Sequence, residues 1–387
     1  MRLTKLSICI GVAASIALSA PAFAVLQDVP VTNIRTMAMG GAGFAVADDY
    51  AALYQNPAAL SNVTSLKFNL LSIRGDVATS VFSNWTKFYN VYNQVKNSGG
   101  NTQEAVDSLG PLIPTNVALN GGGNVVSVAG NSWGLGVFNQ SNSVEALRNR
   151  SNPYVLLSGV SEASAIIGKS FGITLIGIPM DIGLSARYFY RYELIDGSTS
   201  DTELQVGMAR FLRMVNGSES FNFDRLSGTG VGFDAGVLMP LKTPAGDGKW
   251  GVVVRNIGTR ISGTTTISSA NASFSDTIQS RVGIGVGLNT GVPSWIPVLN
   301  GIGTFLLAAD YYLPVNGESW LKGIHIGAEK PFWIFKLRGG LNQGFIVGGV
   351  GMRLFILDFN FAYNKEALGS RINIDPIDYY TFQFGLL

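Results

Sequence analysis

The stretch Asp181–Leu194 (DIGLSARYFYRYEL) restricts the fold more than any other part of this 387-residue chain. Read as a strand, whose side chains alternate between two faces, it sets Ile182, Leu184, Ala186, Tyr188, Tyr190 and Tyr192 on one side. Gly183, Ser185, Arg187, Phe189 and Arg191 fall on the other. The first face suits hydrocarbon, whereas two arginines in lipid are costly, so the second face looks into a lumen. That is the wall of a transmembrane barrel. Composition agrees, because charged residues make up 13% of the chain, about half the roughly 25% of a soluble domain. After the first two dozen residues no 18 apolar residues run uninterrupted, which disfavours a helical membrane protein. A soluble β-sandwich or solenoid is the alternative, but charge this sparse leaves it short of polar surface.

The chain begins with the pattern of a secretion signal. Arg2 and Lys5 precede the apolar run Leu6–Ala20, and Ala22-Phe23-Ala24 fits a small-x-small cleavage site, so residues 1–24 are read as the signal. The only cysteine, Cys9, lies inside it, and the exported part is expected to have no disulfide, redox centre or cysteine metal site. Without Arg2 and Lys5 the totals of 27 basic and 25 acidic residues become 25 and 25, which gives no global charge argument for binding nucleic acid.

Residues 25–63 read as a non-sheet plug and residues 64–387 as the wall around it. In NIRTMAMGGAGFAVADDYAALYQNPAAL (33–60), Gly40, Gly41 and Gly43 permit tight packing and positive φ. Asp48 or Asp49 offers a cap for a short helix through Tyr54, which Pro57 stops, while Asn56 offers a hydrogen bond to a turn or lumenal wall group. Extended segments follow: 65–75, 116–130, the SWGLGVFNQ stretch after a hairpin near Gly130-Asn131, 154–168, 173–177 and 181–194. After them come 228–239, 249–257, 277–289, 303–312, 322–329, 331–340, 344–353, 354–363 and 379–387. They amount to about 14 strands, with 12 or 16 as the alternatives, an even number as a closed antiparallel barrel requires, and the last must pair with the first or remain an open edge. Glycine alternation in VGIGVGLN (282–289) is read as strand curvature, with room for approaching plug backbone as the other possibility.

Two helical insertions interrupt the wall, near 80–109 and 202–215. In the first, Phe82, Trp85, Phe88, Tyr89 and Tyr92 recur at three and four, an aromatic face fit for the barrel mouth, the lumen or the membrane interface. In the second, Leu204, Met208, Phe211 and Leu212 share one side. No enzyme constellation emerges, and no cofactor or metal is expected: the single histidine, His325, has no cysteine partner, and the GGAG at 40–43 lacks the strand and Lys-Ser/Thr pair of a phosphate loop.

MAMGGAGFAVADDYAALYQNPAAL (37–60) resembles the N-terminal signature of the FadL-like superfamily of outer-membrane barrels, and equally the related PorV-type proteins and spirochaete barrels of similar length. VVVRNIG (252–258), LLAADYY (306–312), GIHIGAEKPF (323–332), LRGGLN (337–342) and LDFNFAYN (357–364) extend the resemblance over nearly all of the exported chain. It implies a 14-stranded barrel with an N-terminal hatch, in the outer membrane of a diderm bacterium, inserted by that membrane's machinery and monomeric. For FadL-like members it also implies passage of hydrophobic molecules such as long-chain fatty acids, with lateral release through the wall. On that reading the hatch holds Gly40, Gly41, Gly43, Asp48, Asp49, Asn56, Pro57 and Ala58, capture falls to Phe82, Trp85, Phe88 and Tyr92, and lumenal Arg187 or Arg191 orients a carboxylate or pairs with lumenal acids. The alternative is a PorV-like partner or shuttle for secreted proteins, or a structural barrel with a sealed lumen.

Overall fold

The computed structural model describes residues 31–97, 110–195, 204–215, 217–220, 222–267, 270–291, 304–315, 317–367 and 376–387. The expected secretion signal, the first residues of the hatch and the helical stretch around 103–109 lie outside them.

Fourteen antiparallel strands form the wall. They are β1 (Leu71–Ala78), β2 (Thr115–Gly130), β3 (Trp133–Arg148), β4 (Tyr154–Leu175), β5 (Ile178–Leu194), β6 (Arg225–Thr243) and β7 (Gly246–Ile267), then β8 (Arg281–Thr290), β9 (Phe305–Tyr312), β10 (Ile324–Phe332), β11 (Phe335–Asn342), β12 (Phe345–Leu354), β13 (Leu357–Ala367) and β14 (Pro376–Leu386). Each pairs with the next, and β14 closes on β1 from Tyr379↔Ala78 to Leu386↔Leu71. Closure satisfies the backbone groups that an edge would leave bare in lipid. The expected strand number and closing pair are both present.

The faces follow the alternation. On β5, Leu184, Tyr188, Tyr190 and Tyr192 are exposed outward while Arg187, Phe189 and Arg191 are buried inward. On β14, Tyr380, Phe382 and Phe384 point out and Thr381 and Gln383 point in. Outside, ring pairs Phe359–Phe384, Phe361–Phe382 and Tyr363–Tyr380 lie 5.3, 5.1 and 6.0 Å apart. An even-stranded closed barrel with an apolar outer band is an outer-membrane structure, and this chain is built as one.

Strand length divides the wall in two. Strands β2–β7 run for 16 to 22 residues, whereas β8–β14 and β1 have 8 to 11. The tall side carries accessory pieces. Leu204–Gly207, expected as the start of a helix over 202–215, is instead a strand paired with Tyr154–Leu157 of β4. Above Val160↔Glu193 the edge of β4 has run out of β5, and its open backbone groups recruit those four residues. The helix is confined to α5, Met208–Val215.

Other boundaries also shifted. The expected strand 65–75 is broken at Leu70 into Lys67–Asn69, which pairs with β2, and β1. The expected strand 331–340 contains a hairpin turn at Trp333-Ile334, and Phe355-Ile356 forms another where the segment 354–363 was expected to be extended. The segments 154–168 and 173–177 are one strand, β4.

Candidate functional site

Residues 31–63 fill the lumen. Asn33 caps the short helix α1 (Ile34–Ala38), its Oδ1 accepting from the Thr36 N–H at 3.0 Å. Gly40 and Gly41 then turn the chain at φ 68° and 90°, which only glycine adopts freely. Asp49 accepts from the Ala51 N–H at 2.8 Å ahead of α2 (Ala52–Gln55). Asn56 caps the 3-10 turn Pro57–Asn62 by accepting from the Ala58 N–H at 3.1 Å. The plug bridges the lumen: α1 lies against β11–β14 and the 3-10 turn against β3–β6. Leu53, Tyr54, Ala58, Ala59 and Leu60 share one buried cluster with Phe138, Ile166 and Leu238 of the wall.

Wall glycines receive it. A Cβ at Gly285 would lie 2.8 Å from Phe44 Cβ, and Gly283 and Gly287 likewise abut Phe44 and Val46. The VGIGVGLN alternation therefore makes a trough for the plug, and curvature alone does not explain it. Gly183 of β5 meets Pro57 and Ala58 in the same manner.

Polar contacts hold the plug against strands nearly 300 residues away. The Arg35 guanidinium donates through Nε and Nη2 to Glu329 at 3.0 and 2.8 Å and through Nη1 to Asp48 at 2.6 Å, while Arg338 Nε donates to the same Glu329 at 2.8 Å. The Gly43 and Phe44 N–H groups donate to Asp310 Oδ2 at 2.6 and 2.9 Å, and the buried His325 pairs its Nδ1 with the Gly40 carbonyl at 2.7 Å. At the far side Ser61 Oγ donates to Asp181 at 2.7 Å, and Lys249 reaches the same carboxylate at 3.2 Å. Within the plug, burial works against the charge on Arg35, yet Asp48 and Glu329 hold its guanidinium well above the usual range. Burial also opposes the Asp48 charge, but Arg35 and Lys67 keep its carboxyl below the ordinary value. Burial and the neighbouring Asp48 push Asp49 up.

Of the residues singled out in sequence, Gly40, Gly41, Gly43, Asp48, Asp49, Asn56, Pro57 and Ala58 all sit in this plug. Arg187 and Arg191 line the lumen elsewhere and are engaged with one another's partner: Arg187 Nη1 and Arg191 Nη2 donate to the two oxygens of Glu162 at 2.9 and 2.8 Å, and Arg187 Nη2 donates to Asn256 at 2.9 Å. The aromatic set is split. Phe82, on α3 (Thr79–Ser83), lies 5.9 Å from the outward ring of Tyr380. On α4 (Trp85–Asn97), Phe88 packs inward with Leu112, Leu147 and Met208 while Trp85 and Tyr92 are exposed. The four are not gathered into one pocket. Arg35, Glu329, Asp310 and His325, which do hold the plug, went unmarked as a group because each meets its partner only through the fold.

Two cavities flank the plug. One of about 350 Å³ lies towards the rim opposite the C-terminus and has a mixed lining, in which Arg74, Asp76, Arg281, Glu318, Asn364 and Glu366 stand beside Val31, Met37, Phe44, Tyr54 and Tyr312. The other, about 690 Å³, is a groove on the outside of β12–β14 and β1, walled by Ile73, Phe335, Phe359, Phe361, Phe382 and Phe384. Its base reaches the inward-facing Asn360 and Gln383, and Gln383 also lines a void of about 10 Å³ beside Tyr50 and Tyr54 of the plug. Among the groove residues Gly75 has nothing within 4 Å of its Cβ position.

Fold and site together define a membrane-spanning β-barrel closed by an N-terminal lumenal plug. No protein-family model matches the chain, and no curated protein matches its sequence. Among solved structures, the toluene transporter TodX of Pseudomonas putida is similar over 94% of this chain and 98% of its own, at 12% identity and a TM-score of 0.45. The monoaromatic hydrocarbon channel CymD is similar over 91% and 95%, at 12% identity and 0.39. The translocator domain of the autotransporter NalP from Neisseria meningitidis is similar over 84% and 88%, at 10% identity and 0.33.

Proposed function

We propose that this chain is a hatch-gated channel that passes hydrophobic small molecules, such as long-chain fatty acids, and releases them sideways into the bilayer. The observation that carries this reading is the aromatic groove, an apolar hollow on the hydrocarbon side whose base residue Gln383 also borders the plug. A hydrophobic solute gains by leaving water for such a surface, and the groove volume is within the roughly 300–1,000 Å³ of small-molecule sites. Displacing the plug opens the lumen behind it. Asn33–Leu60 is the moving part, with Asp48, Asp49, Asn56, Pro57 and Ala58 setting its local shape and Gly40, Gly41 and Gly43 its close fit.

One observation favours a second reading. The cavity towards the rim opposite the C-terminus carries Arg74, Asp76, Arg281, Glu318 and Glu366 in its lining, charges that suit a barrel sealed to hydrophobic solutes that serves secreted proteins as partner or shuttle, or is structural. Uptake into liposomes separates the two. Labelled long-chain fatty acid and a small polar solute are compared for the parent chain, for a chain lacking Asn33–Leu60, and for Gly75→Phe, which fills the groove. Fatty-acid uptake that depends on the plug and falls in Gly75→Phe supports transport. A parent that passes neither solute, with only a polar leak on deletion, overturns transport in favour of the sealed barrel.

A further inference from the structure

Among the described residues five two-residue turns lie on the rim that carries the C-terminus, and three of them carry a bulky apolar residue: Ile176-Gly177, Trp333-Ile334 and Phe355-Ile356. Ile176, Trp333 and Phe355 have φ of 51°, 58° and 53°, a left-handed conformation that bulky and β-branched side chains rarely adopt. Trp333 is 94% exposed and Phe355 99%. Asn131-Ser132 on the same rim and Gln343-Gly344 on the other show the residues such turns prefer. The local conformation therefore does not explain Trp, Phe or Ile, and something outside the protein must.

We infer that this rim is sunk into the membrane leaflet beside it, with Ile176, Trp333, Phe355 and Ile356 as anchors below the headgroups. Three observations point to a lipid surface as the occupant. The turns continue the outward apolar band without a break: Phe332 and Phe335 flank Trp333, Leu354 and Leu357 flank Phe355-Ile356, and Ile173 and Leu175 precede Ile176. The strands β10–β13 have 8 to 11 residues, which at ~3.3 Å per residue and ~40° tilt rise about 20–28 Å, close to the roughly 25 Å apolar band of a barrel. Their tips thus end where hydrocarbon ends. Finally, the β4–β5 turn lies about half-way round the 14-stranded wall from the β10–β11 and β12–β13 turns. A planar bilayer meets opposite sides of a rim at once, whereas a protein docked at one side does not. Lys330 fits the same depth, its ammonium crossing the Phe305 ring to the Thr304 carbonyl at the rim.

The test uses purified full-length chain in liposomes, with Cys9→Ala as background and nitroxide labels at Ile176→Cys, Phe355→Cys and, on the opposite rim, Ser151→Cys. Collision with oxygen, which concentrates in lipid, is compared with collision with a water-soluble nickel chelate. Oxygen collisions dominate at 176 and 355 and nickel collisions at 151 if the rim is sunk. Nickel dominance at 176 and 355, or shielding from both reagents as a protein contact would give, overturns the inference. In the unlabelled chain, lipids brominated near the headgroup quench part of the tryptophan emission, and that part is smaller in Trp333→Phe. Equal quenching in the two chains overturns it independently of any labelled variant.

Discussion

Gly183→Ala tests whether the plug is seated by space in the wall. An added Cβ would lie 2.5 Å from Ala58 Cα, and closer to the Ala58 nitrogen, where ordinary contact begins at 3.4 Å. Pro57 fixes one φ at this turn, and Asn56 Oδ1 ties the Ala58 N–H, so neither atom can swing aside. The turn must withdraw by more than the 0.9 Å that separates the Ala58 Cα distance from ordinary contact, because the Ala58 nitrogen and the Pro57 carbonyl carbon lie closer still, and overpacking of this kind costs ~1–3 kcal/mol. At about 1.4 kcal/mol per tenfold, the seated-to-unseated ratio falls roughly 5- to 150-fold. Cys9 is the only cysteine, so Ala59→Cys in a Cys9→Ala chain supplies a single fully buried thiol whose maleimide labelling reports unseating. Gly183→Ala is expected to speed labelling by that factor while the thermal melt of the barrel is kept. Gly75→Ala, on the outside with open space around it, should leave the rate unchanged. Equal labelling of Gly183→Ala and its parent refutes the seating argument.

Three further outcomes are expected. Arg35→Ala removes both the Glu329 clamp and the Asp48 pair; because Arg338 still holds Glu329, the loss should stay below the ~3–5 kcal/mol of a fully orphaned buried partner, and thiol labelling at residue 59 should rise. Asp49→Asn keeps an acceptor for the Ala51 N–H and removes a charge whose pKa the fold raises. The sign follows from that shift: below the unfolded-state pKa the two chains seat equally, and as pH rises through the folded-state pKa the parent loses seating relative to the variant, read as slower labelling of Asp49→Asn at neutral pH. Arg191→Ala leaves Glu162 with Arg187 alone in a buried triad and should cost roughly 3 kcal/mol in a urea titration, with no change in whether liposome uptake depends on a carboxylate.

The wall was legible because its constraint is local: a strand beside lipid must alternate, and Asp181–Leu194 shows both faces within fourteen residues. Two of its turns were not. Trp333-Ile334 and Phe355-Ile356 carry no glycine, proline or asparagine, so a chain read for turn chemistry runs through them as strand. The plug was legible from its glycines and Asn56-Pro57-Ala58, whose roles lie in their own backbone. Its fastenings were not, since Glu329, Asp310 and His325 look like ordinary inward residues until closure carries them to Arg35, Gly43 and Gly40. The aromatic face of residues 82–92 was read as one surface, but the break between α3 and α4 at Asn84 sends Phe82 over the wall and Phe88 into the mouth.

The pairing of β14 with β1 has a consequence for how this molecule is made. Strand β14 completes the cylinder, while the segment that fills it precedes β1. Leu53, Tyr54 and Leu60 share one buried core with Phe138 and Ile166 from strands on the tall side. Contacts of long sequence separation are slow to form, so the plug's nearer partners on β3 and β4 are kinetically favoured over the closing pair of β14 with β1.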